Sequence, residues 1–155
     1  MVERVTVLDT TLRDGAQREG ISFSVQDKLR IAAKLDELGV AYIEGGWPSS
    51  NPKDAEFFGR AAHLSWTHAR IAAFGSTRHA NGAVDRDPNV RALVECGAPV
   101  AVLVGKASTM HVAEVLRTTL DENLAMIRDT VAHLKARGLE VLFDAEHFFD
   151  GYRLD

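Results

Sequence analysis

Strand and helix patterns that alternate, strand starts about every 30 to 40 residues, and polar residues gathered at the C-terminal end of every strand predict a parallel α/β fold. The barrel form fits best: a (β/α)8 TIM barrel truncated to about its first five βα units. The strands read as continuous apolar runs, as they do where both faces of a sheet are covered. An open doubly wound sheet is the other parallel architecture, but no GxGxxG turn follows the first strand. A complete barrel takes about 250 residues, whereas the 155 here stop just after a fifth strand. Residues 1–155 are therefore expected to form one incomplete domain.

Arg4 to Asp9 is β-branched and apolar and ends in a polar cluster from Thr10 to Gln17, the pattern of a buried strand followed by a functional loop. Ser24 can cap the next segment, where Leu29, Ile31, Ala32, Leu35 and Leu38 form a helical stripe that stops at Gly39. Val40 to Glu44 reads as a strand, Lys53 to His63 as a helix and Ala69 to Phe74 as a third strand. Pro88 to Cys96 is helical, Pro99 to Val104 a fourth strand, Thr118 to Arg137 a long helix closed by Gly138, and Leu139 to Phe143 a fifth strand. In the long helix, Leu124, Ile127, Val131 and Leu134 have helical spacing and are expected to cover the sheet. His63, His68 and His133 fall in or beside outer helices and are read as surface or packing residues.

Eighteen Lys and Arg against 22 Asp and Glu leave a net charge of -4 with no basic cluster, so nucleic acid is not an expected partner. The longest apolar runs, such as Pro99 to Val104, fall short of the roughly 20 residues of a membrane helix, and the N-terminus reads as a strand rather than a signal peptide. A cytoplasmic protein is expected, and the single cysteine, Cys96, reads as a small core residue with no internal disulfide partner.

Ligands of parallel α/β folds bind at the carboxyl ends of the strands. Here those ends carry Asp9, Thr10, Arg13, Asp14 and Gln17, then Glu44, Trp47 and Ser49, then Ser76, Thr77, Arg78 and His79. The fourth supplies Lys106, Ser108 and His111, and the fifth Asp144, Glu146 and His147. In the Arg13–Asp14 pair, a carboxylate suited to a hard cation adjoins a guanidinium suited to a carboxylate or enolate oxygen, a combination that fits a keto acid. A simple salt bridge, or a turn eased by Gly15, is the alternative. Glu44 and Glu146 are candidates for proton transfer or for holding Arg13. Lys106 and His111 are candidates to neutralise an acidic substrate, or are solvated surface residues. Asp9 can fix its loop by accepting backbone hydrogen bonds. Gly45 and Gly46 permit a close backbone approach, to a ligand or within a turn before Pro48.

The stretch DTTLRDGAQ (Asp9 to Gln17) resembles the signature of the metal-dependent barrel enzymes that include isopropylmalate, homocitrate and citramalate synthases and hydroxymethylglutaryl-CoA lyase. Phe23 to Asp54, with GGWP, and FDAEHFFDGY (Phe143 to Tyr152) are most similar to the citramalate synthases, and the resemblance spans essentially the whole chain. It implies the N-terminal part of an HMGL-like catalytic barrel and an acyltransferase that condenses acetyl-CoA with pyruvate in isoleucine and branched-chain amino acid biosynthesis. It implies a divalent metal (Mg2+, Mn2+ or Zn2+) with Asp14 as ligand. Arg13 would act on the keto or enolate oxygen and Glu146 in acid-base work, with Gln17 orienting the neighbouring groups and Glu44 near the metal and substrate; Lys106 and His111 are added as substrate-binding candidates on their charge and position alone. A homodimer is implied for the full-length enzyme. Related readings are a synthase for a longer 2-keto acid, a metal-dependent lyase or aldolase, and a non-catalytic half-barrel or assembly module.

The family also holds its metal with two histidines in an HxH motif, and no HxH occurs in these 155 residues. The chain alone is accordingly expected to be inactive. It is also expected to expose strand edges and apolar faces that favour instability or association.

Overall fold

The computed structural model describes residues 5–154. Arg4, expected in the first strand, lies outside them. Five parallel strands form one sheet: β1 (Leu8–Asp9), β2 (Tyr42–Gly46), β3 (Arg70–Ser76), β4 (Val100–Lys106) and β5 (Glu140–Glu146). Each strand pairs with the next in chain order. A doubly wound sheet reverses its order at a switch point, and this sheet does not, so the order is that of a barrel.

Helices α1 (Val25–Leu38), α2 (Pro52–Ala61), α3 (Pro88–Glu95) and α5 (Leu120–Ala136) make the crossovers. Their starts are chemically marked. Ser24 and Asp27 form a reciprocal capping box, and Asn51, Asp87 and Thr119 accept first-turn N–H groups. Pro52 and Pro88 open α2 and α3. α1 stops where Gly39 adopts φ +88°, a left-handed conformation that glycine takes without a steric penalty. Three short elements carry no clear signal in the sequence: a 3-10 turn (Gly15–Gln17), α4 (Thr109–His111) running into a π turn (Val112–Leu116), and α6 (Phe148–Leu154). No helix among the described residues is long and apolar enough to cross a membrane.

The larger core lies between the sheet and its helices, where Ile43, Ala73, Ala101 and Leu103 meet Phe57, Phe58, Leu93 and Leu134. A smaller cluster, Ala72, Phe74, Val100 and Val102 with Leu8, Tyr42 and Trp47 against it, covers the opposite face. Burial on both faces explains the unbroken apolar runs of the central strands.

Two expectations need correction. Among the described residues the first strand is two residues long, with Val5 84% and Val7 52% exposed, because Val7 contributes only its carbonyl to the ladder, to Tyr42 N. In α5, Leu124 is 61% exposed, and Asn123, Met126, Thr130 and Leu134 carry the buried face. The reason is polar. Asn123 Nδ2 donates to Lys106 O (3.0 Å), and Thr130 Oγ1 accepts from Arg78 N (3.0 Å) and donates to Met126 O (2.7 Å). These bonds turn the helix so that its polar side chains meet the loops after β3 and β4.

Candidate active site

The loop after β1 is folded by its own polar atoms. Asp9 accepts from the N and Oγ1 of Thr11 (3.0 and 3.1 Å), and Thr10 O accepts from Arg13 N and Gly15 N (3.2 and 3.1 Å). Leu12, 1% exposed, anchors the loop in the core. Asp9 therefore fixes the loop, as its position suggested.

This turn delivers Arg13 to a cavity of about 430 Å³ at the carboxyl ends of the strands. Arg13, Asp14 and Gln17 line it on one side and Lys106 and Glu146 on another, with Trp47, Phe74, Val104 and Leu116 as apolar wall. Arg13 Nε donates to Glu44 Oε2 (2.7 Å), Nη1 lies 3.3 Å from Asp14 Oδ1, and Cζ sits 3.8 Å from the centre of the Phe74 ring. A guanidinium held by a carboxylate and stacked on an aromatic face is pre-oriented for an incoming oxyanion. Glu44 is fully buried behind Arg13, and its Oε1 has no partner among the described residues. Burial pushes its carboxyl above the usual range, and Arg13 offsets part of that effect.

Lys106 and Glu146 are register partners at the ends of β4 and β5, and their side chains form an ion pair. The Lys106 ammonium holds the Glu146 carboxyl below its usual range despite partial burial, and His147 and His111 add to the effect. Glu146 is thus ionised at neutral pH.

The apolar wall is itself braced. Trp47 meets Phe74 edge to face, 5.2 Å between ring centres. Its Nε1 donates to Asn89 Oδ1 (2.8 Å) and its backbone N to Asp54 Oδ2 (2.9 Å). Asp54 also accepts from the buried Lys28 Nζ at 2.5 Å. Asn89, at the start of α3, takes Ser49 Oγ (2.6 Å) as well and donates to Ser76. Gly45 and Gly46 serve this packing: a Cβ would lie 2.2 Å from Phe57 Cε1 at Gly45 and 2.5 Å from Asp54 Cγ at Gly46.

Ser76 and Thr77, at the end of β3, also line this cavity, whereas Arg78, His79 and His111 do not. Arg78, 5% exposed, is spent on Glu122 (2.6 Å) and Asp129 (2.9 Å) of α5. His79 Nδ1 lies 2.6 Å from Asp87 Oδ2. His111 lines a separate cavity beside His147. His63 and His68 are exposed and His133 is half-buried on α5. Cys96, at the end of α3, is half-buried, and burial pushes its thiol up. The sequence reading missed Phe74 as a site residue; its signal was an aromatic placed among the small residues of β3.

Among the described residues there is no group of three or more His, Cys, Asp or Glu side chains that could hold a metal. Asp14 is an exposed carboxylate whose recorded partner is Arg13. Asp14 alone supplies only part of the roughly six oxygen ligands of a hard divalent cation, so the described residues do not complete the implied metal site by themselves.

The sequence profile of the HMGL-like family matches residues 4–151. A (R)-citramalate synthase of Streptomyces coelicolor is 60% identical over 95% of this chain and 28% of its own length. One from Aquifex aeolicus is 54% identical over 99% of this chain and 29% of its own. The chain thus spans under a third of the length of these relatives. The crystal structure of hydroxymethylglutaryl-CoA lyase from Pseudomonas aeruginosa superposes with a TM-score of 0.68 at 21% identity, over 90% of this chain and 45% of that one, which shows a shared barrel fold. Strand order, the cavity at the strand ends and the profile match agree: the chain belongs to the HMGL-like family.

Proposed function

We propose that this chain is the N-terminal part of the catalytic barrel of an acyltransferase that condenses acetyl-CoA with pyruvate to give (R)-citramalate and CoA, in the cytoplasmic synthesis of isoleucine. The observation that carries the proposal is the cavity in which the clamped Arg13 faces the Lys106–Glu146 pair. Identities of 53–60% to (R)-citramalate synthases support the choice of substrates.

In this reading Glu146, an ionised carboxylate, accepts a methyl proton from acetyl-CoA. The resulting carbanion attacks the ketone carbon of pyruvate, forming the new C–C bond. The ketone oxygen becomes an alkoxide, which the Arg13 guanidinium stabilises until the proton held by Glu146 is returned to it, regenerating the carboxylate. Water then cleaves the thioester and releases CoA and citramalate. Glu44 acts by positioning Arg13. Gln17 and Lys106 orient the keto acid, and Trp47 and Phe74 give its side chain an apolar wall. We place His111 at the rim, beyond the reacting atoms, and the full-length enzyme as a homodimer.

The test is CoA release from acetyl-CoA and pyruvate by the full-length enzyme that contains this chain. Arg13→Lys and Glu146→Gln are each expected to lower turnover by about 100-fold or more. Release with a longer 2-keto acid but not with pyruvate would remove the substrate assignment and keep the chemistry. Full turnover in both variants would remove the site.

A further inference from the structure

The cavity that takes His111 is not explained by the condensation. It measures about 370 Å³ and is lined by Ser108, His111, His147, Asp150 and Arg153 among others. Two buried polar atoms in its lining residues, Ser108 Oγ and His111 Nδ1, have no hydrogen-bond partner among the described residues. Ser108 is 2% exposed and stands at the start of α4 without capping it. Buried polar atoms left unpaired are rare and disfavoured, so two beside one cavity leave hydrogen-bonding capacity for water or a bound group.

The walls are built for close approach. α6 packs directly on the loop after β4: at the buried Gly151 a Cβ would lie 2.2 Å from Ala107 O. The chain reverses from β5 into α6 at His147, which holds φ +59°, a left-handed conformation that a non-glycine side chain rarely adopts. Its ring meets that of His111 edge to face at 4.7 Å between centres. Strain at a non-glycine residue is characteristic of functional sites.

We propose that this cavity binds an oxyanion, a carboxylate or phosphate group, through Ser108 Oγ, His111 Nδ1 and Arg153, apart from the Arg13 cavity. The hydroxyl and the ring nitrogen each donate to an oxygen, and the guanidinium supplies the charge and the fork geometry that selects an anion over a cation. Asp150, the acidic group in the lining, lies 3.8 Å from His147 Nδ1 and so faces a partner of its own. The site does not depend on the proposed condensation.

Diethyl pyrocarbonate modification of the histidines, read peptide by peptide in the full-length enzyme at fixed pH and ionic strength, tests it. Rising inorganic phosphate is expected to protect His111 and His147 with a saturating curve, leaving the exposed His63 and His68 unaffected. Ser108→Ala and Arg153→Gln should each raise the half-protecting concentration about tenfold. Acetate and AMP in parallel identify the source: protection by acetate marks a carboxylate site, stronger protection by AMP a phosphate ester, and phosphate alone the free ion. Equal protection of His63 and His68, or an unchanged midpoint in both variants, would overturn the proposal and leave solvent in the cavity.

Discussion

Arg13 is fixed on three sides, by Glu44, Asp14 and Phe74, and Glu44 carries an electrostatic penalty for its part in this. A buried carboxyl whose pKa is raised in the folded state binds its proton more tightly there than in the unfolded chain. Stability therefore falls as pH rises from the unfolded value, about 4.3, through the raised folded value. Glu44→Gln removes that loss. In thermal melts of the full-length enzyme the variant should gain stability relative to the parent between pH 4 and pH 7, while its CoA release drops because Arg13 is no longer held. A stability difference that does not change with pH would contradict the assignment. Arg13, Asp14 and Gln17 were legible in the sequence because they fall together in one short loop. The Arg13–Glu44 bond and the Phe74 stack were not, since they depend on which residues of β2 and β3 come level with the loop, and β2 slips in register between Glu44 and Gly46.

Elements here are joined by single carboxylates. Asp36, in the last turn of α1 and 7% exposed, accepts from the backbone N–H groups of Thr67, His68 and Ala69 at 2.9, 2.8 and 2.7 Å, tying the helix to the entrance of β3. Burial alone would raise its pKa, but the three donors bring it below the usual value. Its stabilisation is complete above the unfolded pKa of about 3.9 and is lost as pH falls through the lower folded value. Asp36→Ala should cost about 2 kcal/mol at pH 7, and urea unfolding should show that difference shrinking towards pH 2. A difference that persists at pH 2 would mean that the carboxylate is not its source. Helix starts were readable because caps are local chemistry, a Ser, Asn, Asp or Thr answering an N–H a few residues on. The buried face of α5 was not, because hydrogen bonds to distant loops outweighed the leucine spacing. α6 was hidden because Phe148, Phe149 and Tyr152 are exposed and form no apolar stripe towards the core.

Those aromatics, at 52%, 77% and 77% exposure, stand with Phe143 (44%) along the β5 side of the molecule. Among the described residues β1 and β5 each have one strand neighbour, and unpaired parallel edges with apolar faces favour self-pairing. The 155-residue chain is expected to associate at micromolar concentrations in sedimentation velocity runs. A single monomeric species across the range would contradict this. At this scale the sequence was most informative: the repeated strand-helix spacing and the polar strand ends led directly to the parallel order and to the rim where the cavity lies.

That order also bears on how the molecule comes into being. Because β2 pairs with β1, β3 with β2, and so on to β5, each of these four pairings joins strands consecutive in the chain. Each unit emerging from the ribosome meets an edge already formed and closes a loop of one crossover, which keeps the entropic cost of every docking step small. Assembly in the direction of translation is the expected outcome, with the Arg13 loop, β2 and β3 formed before the ends of β4 and β5.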